Sequence, residues 1–331
     1  MQRPKVYVTR RLFPEVVQRL AQECQVSVWD SDTPVPRPVL LREARDCDGL
    51  LTLLTERIDK ELMDGAPRLR VVSNMAVGYD NIDIPEATRR GILVGHTPRV
   101  LTKTTADFAW ALLMAAARLV VQGDRDVRQG KWRTWEPLGW LGQDVHGATL
   151  GIVGLGQIGL EVAKRAQGFE MRILYYDSVR RSPEEEARYR LEYVPTLEAL
   201  LPQCDFVTLH TPLTPQTYHL IGAPQLRLMK PTAVLVNTSR GKVVDQKALY
   251  EALRDGIIWA AALDVTEEEP IPPNDPLLTL PNCIITPHIA SASFATRKAM
   301  ANLAVANLLA GLKGQPMPAC VNPEAGQRQP G

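Results

Sequence analysis

A glycine-rich turn between a strand and a helix constrains the fold of this 331-residue chain more than any other feature. The β-rich run from Thr149 to Val153 leads into G-L-G-Q-I-G, with glycines at 154, 156 and 159, and a helical pattern follows directly. Glycine permits a tight turn and close approach to a ligand, while the first turn of a helix offers free N–H groups. This order predicts a βαβ unit that binds the pyrophosphate of a dinucleotide. A glycine turn that merely closes such a unit is the alternative.

A carboxylate after the next predicted strand indicates which dinucleotide binds. Asp177 follows the strand from Arg172 to Tyr176 and lies 23 residues after Gly154, close to the expected spacing of about 20. A carboxylate there accepts hydrogen bonds from a ribose 2′-hydroxyl and repels a 2′-phosphate, which favours NAD over NADP. Arg180 and Arg181 follow in a loop that is either solvated or turned inward to grip a 2′-phosphate, so NADP stays possible.

Strand and helix patterns alternate along most of the chain. In the first hundred residues, β-rich runs start at Val6, Val26, Leu50, Leu69 and Ile92 with helical patterns between them. A second alternating series runs from Ala148 to about Ile285, and a last helix spans about 293–312. Such alternation predicts parallel sheets covered by helices.

The stretch from Thr102 to about Arg128 is apolar on nearly every side. It predicts one long helix buried on more than one face, at a domain or dimer interface. The length of the chain suggests about two domains, and the change of pattern places their boundaries near residues 100 and 289. The residues after the last helix are predicted to end in a disordered tail, 323–331.

Charge and composition exclude several classes of protein. Lys plus Arg number 38 against 37 Asp plus Glu, so there is no basic excess for nucleic acid. No apolar run reaches the ~18 to 20 residues that span a bilayer, and the N-terminus lacks a signal sequence, so we expect a cytoplasmic protein with no membrane partner. Five widely spaced cysteines without a C-x-x-C pair, and no H-E-x-x-H, predict no disulfide framework and no metal site.

Polar and ionisable residues follow four predicted strands of the second series. In open α/β sheets, ligands bind beyond the carboxyl ends of the strands, so these segments are expected to meet at one edge. They are H-T-P-L (210–213), N-T-S-R-G (237–241), D-V-T-E-E-E-P (264–270) and T-P-H-I-A (286–290).

Three residues of these segments suit hydride transfer between a nicotinamide and a 2-oxo acid. Arg240 has a planar fork that binds a carboxylate and polarises a ketone oxygen. His288 can donate a proton to that oxygen, and Glu269 can hold the imidazole and favour its protonated form. Taken singly, each has an ordinary structural alternative: a capping arginine, a solvated acidic run at 267–269, and structural histidines at 210 and 288. Their convergence on one edge favours catalysis.

The motifs together resemble a known family, the D-isomer-specific 2-hydroxyacid dehydrogenases, and most closely its glyoxylate/hydroxypyruvate reductase branch. The resemblance covers nearly the whole chain. Besides the segments above, it rests on N-M-A-V-G-Y-D-N-I-D (74–83), L-T-K-T-T-A-D (101–107) and W-R-T-W-E-P (132–137).

The resemblance implies roles for individual residues. Arg240, Glu269 and His288 match the catalytic residues, with Glu269 chosen because it directly precedes Pro270. The substrate-binding positions are Ala76, Val77, Gly78, Arg240 and His288. The cofactor-binding positions are Thr105, Gly154, Leu155, Gly156, Gln157, Ile158, Gly159, Asp177, His210, Thr211, Pro212, Thr238, Ser239, Arg240, Asp264, His288 and Ala290.

The resemblance also implies an organisation. It is a two-domain α/β fold in which a Rossmann-type doubly wound nucleotide-binding domain (101–289) is inserted into a flavodoxin-like α/β substrate domain (1–100 and 290–322). A homodimer through the helix that starts near Thr102 is expected. Two departures from relatives matter: Ala76 and Val77 stand where phosphite-oxidising members carry a lysine, and Asp177 stands where NADPH-preferring reductases have an arginine or a small residue.

Alternative functions stay open on the same scaffold. Another D-2-hydroxyacid dehydrogenase, of the D-lactate or D-3-phosphoglycerate type, would use the same residues. An NAD(H)-sensing regulatory protein would keep them too, as would a catalytically poor binding protein for an acidic metabolite. The physiological 2-oxo acid depends on pocket side chains that sequence does not place.

Overall fold

The chain divides into two compact units. The structure is a computed structural model that describes residues 3–327. Unit 1 comprises Met1–Leu101 and Ala292–Gly331, and unit 2 comprises Thr102–Ser291. Unit 2 is therefore an insertion in unit 1, and its limits lie within two residues of those expected from the change of sequence pattern.

Unit 1 contains a five-stranded parallel sheet with the order β2-β1-β3-β4-β5. This order is that of the flavodoxin-like sheet expected from the sequence. Val71 pairs in register with Leu93 across the last two strands. The elements are β1 Lys5–Val8, α1 Pro14–Ala21, β2 Gln25–Val28, α2 Arg37–Ala44, β3 Gly49–Thr52, α3 Lys60–Asp64, β4 Val71–Asn74, α4 Ile84–Arg89 and β5 Leu93–Gly95.

Unit 2 begins with two helices and continues into a seven-stranded parallel sheet. The strands are ordered β12-β11-β10-β9-β6-β7-β8. Strands β6 to β8 are added in one direction and β9 to β12 in the other. The strand order therefore reverses between β6 and β9, and open sheets bind ligands at such a point. The elements are α5 Thr102–Ala117, α6 Val120–Arg128, β6 Thr149–Val153, α7 Gln157–Ala166, β7 Arg172–Tyr176, α8 Pro183–Tyr189, β8 Leu191–Tyr193, α9 Leu197–Leu200, β9 Phe206–Leu209, α10 Ala223–Leu228, β10 Val234–Asn237, α11 Gln246–Arg254, β11 Ala260–Leu263 and β12 Cys283–Ile285. The predicted two-sheet α/β fold class is confirmed.

The apolar helix α5 is buried by its own unit. It packs against α7 and against strands β10 and β11, and Ala109, Leu113 and Ala116 belong to the core on that face of the sheet. Its all-round apolar character therefore needs no second domain or second subunit, contrary to the interpretation drawn from the sequence.

The single long helix predicted over 102–128 is wrong. Leu119 adopts a left-handed conformation with φ 54°, which ends α5, and α6 leaves at a bend of 63°. Apolar periodicity does not reveal such a backbone reversal because Leu119 itself fits the pattern. In residues 3–327 no single helix is long and apolar enough to cross a membrane; α5 and α6 meet that test of length and composition only as a bent pair.

The chain returns to unit 1 in helix α12, Phe294–Leu312, which lies against β3, β4 and β5. Beyond it, Asn322 is fully buried and its Oδ1 accepts a hydrogen bond from the N–H of Val94 in β5 at 2.8 Å. Pro323–Gln327 then forms a 3-10 helix. The predicted disordered tail is therefore wrong for 323–327, because Asn322 anchors this segment to the sheet edge; 328–331 lie outside the described residues.

Candidate active site

The three glycines of the turn after β6 have different surroundings. Gly154 has φ +90°, and a Cβ there would lie 2.8 Å from the carbonyl carbon of His210. A Cβ on Gly159 would lie 2.3 Å from the oxygen of Gly154, whereas one on Gly156 would meet nothing within 4 Å. Gly154 therefore allows the turn, Gly159 allows α7 to pack, and Gly156 leaves space at the helix N-terminus. This is a cradle that fits a pyrophosphate.

Asp177 lies beside this turn at the end of β7. One carboxylate oxygen accepts the N–H of Leu155 at 2.7 Å, and the other accepts the N–H of Val179 at 3.1 Å. The guanidinium Nε of Arg181 donates to the carbonyl oxygen of Leu155 at 3.1 Å. The acid and one arginine thus both lie at the glycine turn, as the sequence analysis left open.

Arg180 is turned away from the turn and paired with Glu186. Its Nε donates to one carboxylate oxygen and a terminal nitrogen donates to the other, both at 2.9 Å. The hydroxyl of Tyr175 donates to the same carboxylate at 2.6 Å. Hydrogen bonds from Arg180 and then Tyr175 lower the pKa of Glu186 to about 2. Arg180 is thus paired with this carboxylate, whereas Arg181 contacts the glycine turn itself.

Two buried hydroxyls lie just past the carboxyl ends of β9 and β10. The Oγ1 atoms of Thr211 and Thr238 have no hydrogen-bond partner among the described residues. A buried hydroxyl without a partner costs ~1 to 3 kcal/mol, so a ligand that supplies the partner is favoured here. The donor set and the cradle together fit a dinucleotide.

The remaining predicted cofactor positions differ in exposure. Thr105 and Ala290 are buried, and the side chain of Leu155 lies in the core. Ser239 is part-buried and both its N–H and its hydroxyl donate to Asn237. Gln157, at the start of α7, and Pro212 are exposed, and Ile158 is part-buried.

His210 is a neutral histidine. Desolvation of its ring lowers its pKa to about 3, although the residue as a whole keeps some surface exposure. Its Nε2 lies 2.9 Å from the hydroxyl of Thr208 in β9. A ring that stays neutral near pH 7 cannot act as the proton donor, so His210 is not a candidate for that role.

Asn237, the last residue of β10, shapes the segment that carries Arg240. It is fully buried; its side-chain oxygen accepts from the N–H and hydroxyl of Ser239 at 3.0 and 2.8 Å, and its amide donates to the carbonyl of Arg240 at 2.9 Å. Asn237 was absent from the residues predicted for the site. An amide at the buried end of a strand was the available signal, since a buried polar group must find partners.

His288 and Glu269 form a pair. The Nδ1 of His288 lies 2.7 Å from the Oε2 of Glu269, and their side chains are 26% and 32% exposed. The other oxygen of Glu269 accepts the N–H of Thr266 at 3.3 Å. Because Nδ1 faces the carboxylate, a proton exchanged with a ligand must pass through Nε2.

Asp264 holds the segment that carries His288. This aspartate, at the end of β11, is 1% exposed. One oxygen accepts from the hydroxyl of Thr286 at 2.7 Å and from the N–H of Ile289 at 2.8 Å, and the other accepts from the N–H of Ala290 at 2.7 Å. His288 itself has φ 54°, so these bonds hold a backbone conformation that is unfavourable for a non-glycine residue.

Unit 1 presents the predicted substrate-binding loop after β4. The carbonyl of Ala76 accepts the N–H of Thr97 at 2.8 Å. The carbonyl of Val77 lies 2.9 Å from Nδ1 of His96, and that of Gly78 accepts from Asn74 at 3.1 Å. The N–H and C=O groups of a trans peptide point in opposite directions. Because these carbonyls point towards Thr97, His96 and Asn74, the N–H group of each following residue points away from those partners.

One cluster in the described part of the chain has metal-ligating atoms close together. His219, Asp245 and Glu267 offer ligand atoms within 4.8 Å of one another. Both carboxylates already accept backbone hydrogen bonds, Glu267 from Gln246 at 2.9 Å and Asp245 from Ala248 at 3.0 Å. The protein's own donors thus account for these acids, and the cluster carries no metal assignment.

Unit 2 therefore brings Arg240, Glu269, His288 and the glycine turn to the carboxyl edge of one doubly wound sheet. This combination defines a dinucleotide-binding oxidoreductase. A family model described as the NAD-binding domain of the D-isomer specific 2-hydroxyacid dehydrogenases matches residues 110–290. The chain belongs to this family, so the family, the enzyme class and the NAD-type cofactor predicted from its motifs are confirmed.

Individual relatives match over almost the whole chain. A glyoxylate reductase from Korarchaeum cryptofilum is 55% identical over 329 residues, which cover 99% of this chain and 98% of that protein. A crystal structure of a Thermus thermophilus protein matches with a TM-score of 0.90 and 45% identity, over 96% of this chain and 99% of that one. An NADPH-dependent glyoxylate/hydroxypyruvate reductase from Sinorhizobium meliloti, solved with NADP and malonate, matches with a TM-score of 0.84 and 34% identity over 100% of both chains.

Proposed function

We propose that the protein reduces glyoxylate and hydroxypyruvate to the corresponding 2-hydroxy acids with a nicotinamide dinucleotide. The observation that carries the proposal is the His288–Glu269 pair at 2.7 Å, because His288 would be the proton donor on the sheet edge that also carries Arg240 and the glycine turn. The glyoxylate reductase that is 55% identical supports the substrate. The D-lactate and D-3-phosphoglycerate types remain the alternatives within the family.

Each catalytic residue has one task in this proposal. The bound cofactor supplies the hydride that reaches the keto carbon. Arg240 binds the substrate carboxylate through its planar guanidinium and polarises the keto oxygen. His288 delivers a proton from Nε2 to that oxygen, and Glu269 stabilises the imidazolium and fixes the ring orientation through Nδ1. The products are a 2-hydroxy acid and the oxidised dinucleotide, so one hydride and one proton balance the reaction.

The substrate also meets backbone donors in this proposal. The N–H groups of Val77 and Gly78 bind the substrate carboxylate, with Ala76 in the same loop. The anchored carbonyls of this loop support the assignment, because they leave the opposite side of each peptide to a ligand.

NADH is the proposed preferred cofactor. Asp177 lies at the glycine turn, where its charge repels a 2′-phosphate and its oxygens accept from a ribose hydroxyl. Arg181 at the same turn can contact a 2′-phosphate, which supports turnover with NADPH at lower efficiency. The glycines 154, 156 and 159 with the N-terminus of α7 would hold the pyrophosphate, and Thr211 and Thr238 would gain partners from the bound dinucleotide.

We infer a homodimer, formed by α6 and the segment that follows rather than by α5. Val120, Val121 and Val127 of α6 are about half exposed, and a run of large apolar side chains follows. That run consists of Trp132, Trp135, Leu138, Trp140 and Leu141, all more than half exposed. Surfaces of this kind mark protein interfaces. A single mass near 36.7 kDa in light scattering would refute the dimer.

The test of the proposed function is the oxidation of NADH and NADPH with glyoxylate, hydroxypyruvate, pyruvate and 3-phosphohydroxypyruvate offered separately. We expect rapid NADH oxidation with the first two and slower turnover with NADPH. Turnover only with pyruvate or with the phosphorylated acid would assign one of the other dehydrogenase types. Tight NADH binding without turnover on any of them would instead indicate the NAD(H)-sensing regulator.

A further inference from the structure

The segment that carries Glu269 is fastened to the start of α11 by a reciprocal pair of hydrogen bonds. The N–H of Glu267 donates to the side-chain oxygen of Gln246 at 3.0 Å. The N–H of Gln246 donates in return to the Oε1 of Glu267 at 2.9 Å. Gln246 is the first residue of α11, so this carboxylate also lies at the positive end of the helix dipole.

The side chain of Gln246 reaches a second segment as well. Its amide nitrogen donates to Oδ2 of Asp275 at 2.7 Å, and the other oxygen of Asp275 accepts the N–H of Leu277 at 2.9 Å. Gln246 therefore bridges two parts of the connection between β11 and β12, one near its start and one near its middle. A shift of its side chain would release Glu267 on one side and Asp275 on the other.

Gly241 brings the Arg240 segment against the Glu269 segment. A Cβ on Gly241 would lie 1.9 Å from the carbonyl carbon of Thr266, so only glycine permits this approach. Thr266 in turn donates its N–H to Glu269 at 3.3 Å and its hydroxyl to the carbonyl of Glu268 at 2.6 Å. The position of Glu269 thus depends on how the whole segment 264–270 is held.

His219 completes the surroundings of Glu267. Its Nε2 lies 2.9 Å from Oε1 of Glu267 without forming a hydrogen bond. The N–H of His219 donates to the carbonyl of Lys242 at 2.8 Å. The Glu267 carboxylate therefore contacts two groups: the start of α11, which donates a hydrogen bond to it, and His219, which is hydrogen-bonded to the segment after Gly241.

We propose that Gln246 and Glu267 are positioning residues for the reaction: they hold the segment 264–270 so that Glu269 stands at hydrogen-bond distance from His288. The inference rests on the proposed function of that pair. Neither residue touches substrate or cofactor in this role. The effect of both residues on the reaction is expected to pass through Glu269, because Glu267 lies two residues before it in the same segment.

A double-mutant cycle between Gln246 and Glu269 tests the inference. Gln246→Ala is expected to lower kcat for glyoxylate reduction about tenfold, since small misplacements of catalytic groups cost up to ~100-fold. The Kd of NADH, measured by fluorescence, should stay unchanged. In a Glu269→Gln background, Gln246→Ala should cause no further loss, because two residues that act through one group are not additive.

Controls separate this role from general stability. Gln203→Ala makes the same chemical change just before β9, where the amide of Gln203 donates to the carbonyl of Ala199 at 2.7 Å, and should leave kcat unchanged. Gln246→Asn keeps an amide on a shorter side chain, and it replaces Gln246→Ala in the experiment if the alanine variant does not fold. We expect this variant to lose less than Gln246→Ala.

The outcomes distinguish the inference from the function on which it rests. If Glu269→Gln is slow but Gln246→Ala and Gln246→Asn turn over as fast as the parent enzyme, positioning by Gln246 is refuted and the proposed function stands. The same tenfold loss in both backgrounds would also refute it, since Gln246 would then act independently of Glu269. If Glu269→Gln itself keeps full kcat, the catalytic role of Glu269 fails first and the inference fails with it.

Discussion

The two units present different chemistry at the carboxyl ends of their strands. In unit 2, side chains form the site, and each has a polar partner: Glu269 for His288, Asn237 for the Arg240 segment, Asp264 for the His288 segment. In unit 1, the loop 76–78 has apolar or absent side chains, and its polar groups are those of the backbone. The chemistry proposed for unit 2 is therefore visible in residue types, whereas that proposed for unit 1 depends on backbone geometry.

This difference predicts how each unit responds to substitution. Side-chain truncation should disable the contribution of unit 2, because its donors and charges reside in side chains. The same truncation in the loop of unit 1 should do little, because its proposed donors are present in every residue except proline.

The largest effect is expected for His288→Ala. Removal of the proton donor should lower kcat by on the order of 100-fold or more, with little change in the Kd of NADH. His146→Ala is the matched control, since His146 is exposed and outside the site. Near-normal kcat in steady-state assays of His288→Ala would remove this residue from the mechanism and weaken the contrast between the units.

Arg240→Lys comes next. Lysine keeps the charge but loses the planar fork that binds a carboxylate through two hydrogen bonds, so we expect the KM for glyoxylate to rise by about 10- to 100-fold, equivalent to the ~1.5 to 3 kcal/mol of a charged hydrogen bond. Arg180→Lys, at a guanidinium paired with Glu186, is the control. An unchanged KM in Arg240→Lys would count against carboxylate binding by this residue.

The loop of unit 1 allows a paired test at one position. Val77→Pro removes a backbone N–H and should raise the KM for glyoxylate about tenfold, as expected for one lost hydrogen bond of ~1.4 kcal/mol. Val77→Ala keeps the N–H and should change KM by no more than about twofold, because it removes no hydrogen-bond donor. Thermal unfolding of both variants checks that the loop change leaves the fold intact. Equal KM values for the two variants would refute backbone recognition.

The prediction with the smallest expected effect on turnover concerns stability. Burial lowers the pKa of His210 to about 3, so the unfolded chain takes up a proton below about pH 6.5 that the folded chain excludes. Stability should therefore be lost as pH falls from about 6.5 towards 3, by up to about 1.4 kcal/mol per pH unit from this residue. Urea unfolding at about pH 7 and about pH 5 should show a smaller loss for His210→Asn than for the parent chain. Equal losses would mean that the ring is solvated.

Much of the fold was predictable because strand patterns in parallel sheets are strong. Thr149–Val153 and Arg172–Tyr176 were placed to the residue, since the buried β-rich runs there end at glycine or a polar residue. The break at Leu119 and the ordered segment 323–327 were not predictable, because a left-handed backbone and a long-range anchor such as Asn322 leave no periodic signal.

The site divides along the same line. The motifs singled out the residues for which we propose a chemical function, such as Arg240 and His288. They did not identify what holds them: Asn237 was missed, and Asp264 was predicted to bind the cofactor but not to hold the segment 286–290, from which both its oxygens accept hydrogen bonds. The bonds from Gln246 to Glu267 join positions 21 residues apart, and nothing local in the sequence indicates that pairing.

The insertion of unit 2 has a consequence for the order in which the protein is made. Helix α12 lies against β3 and β4, yet it is synthesised after every residue of unit 2. During translation, residues 102–291 are complete and able to fold while the sheet of unit 1 still lacks its C-terminal helix. Domains usually form from the N-terminus onward as the chain emerges; here the second unit can finish first, and the first unit is completed only when the ribosome has delivered the last helix.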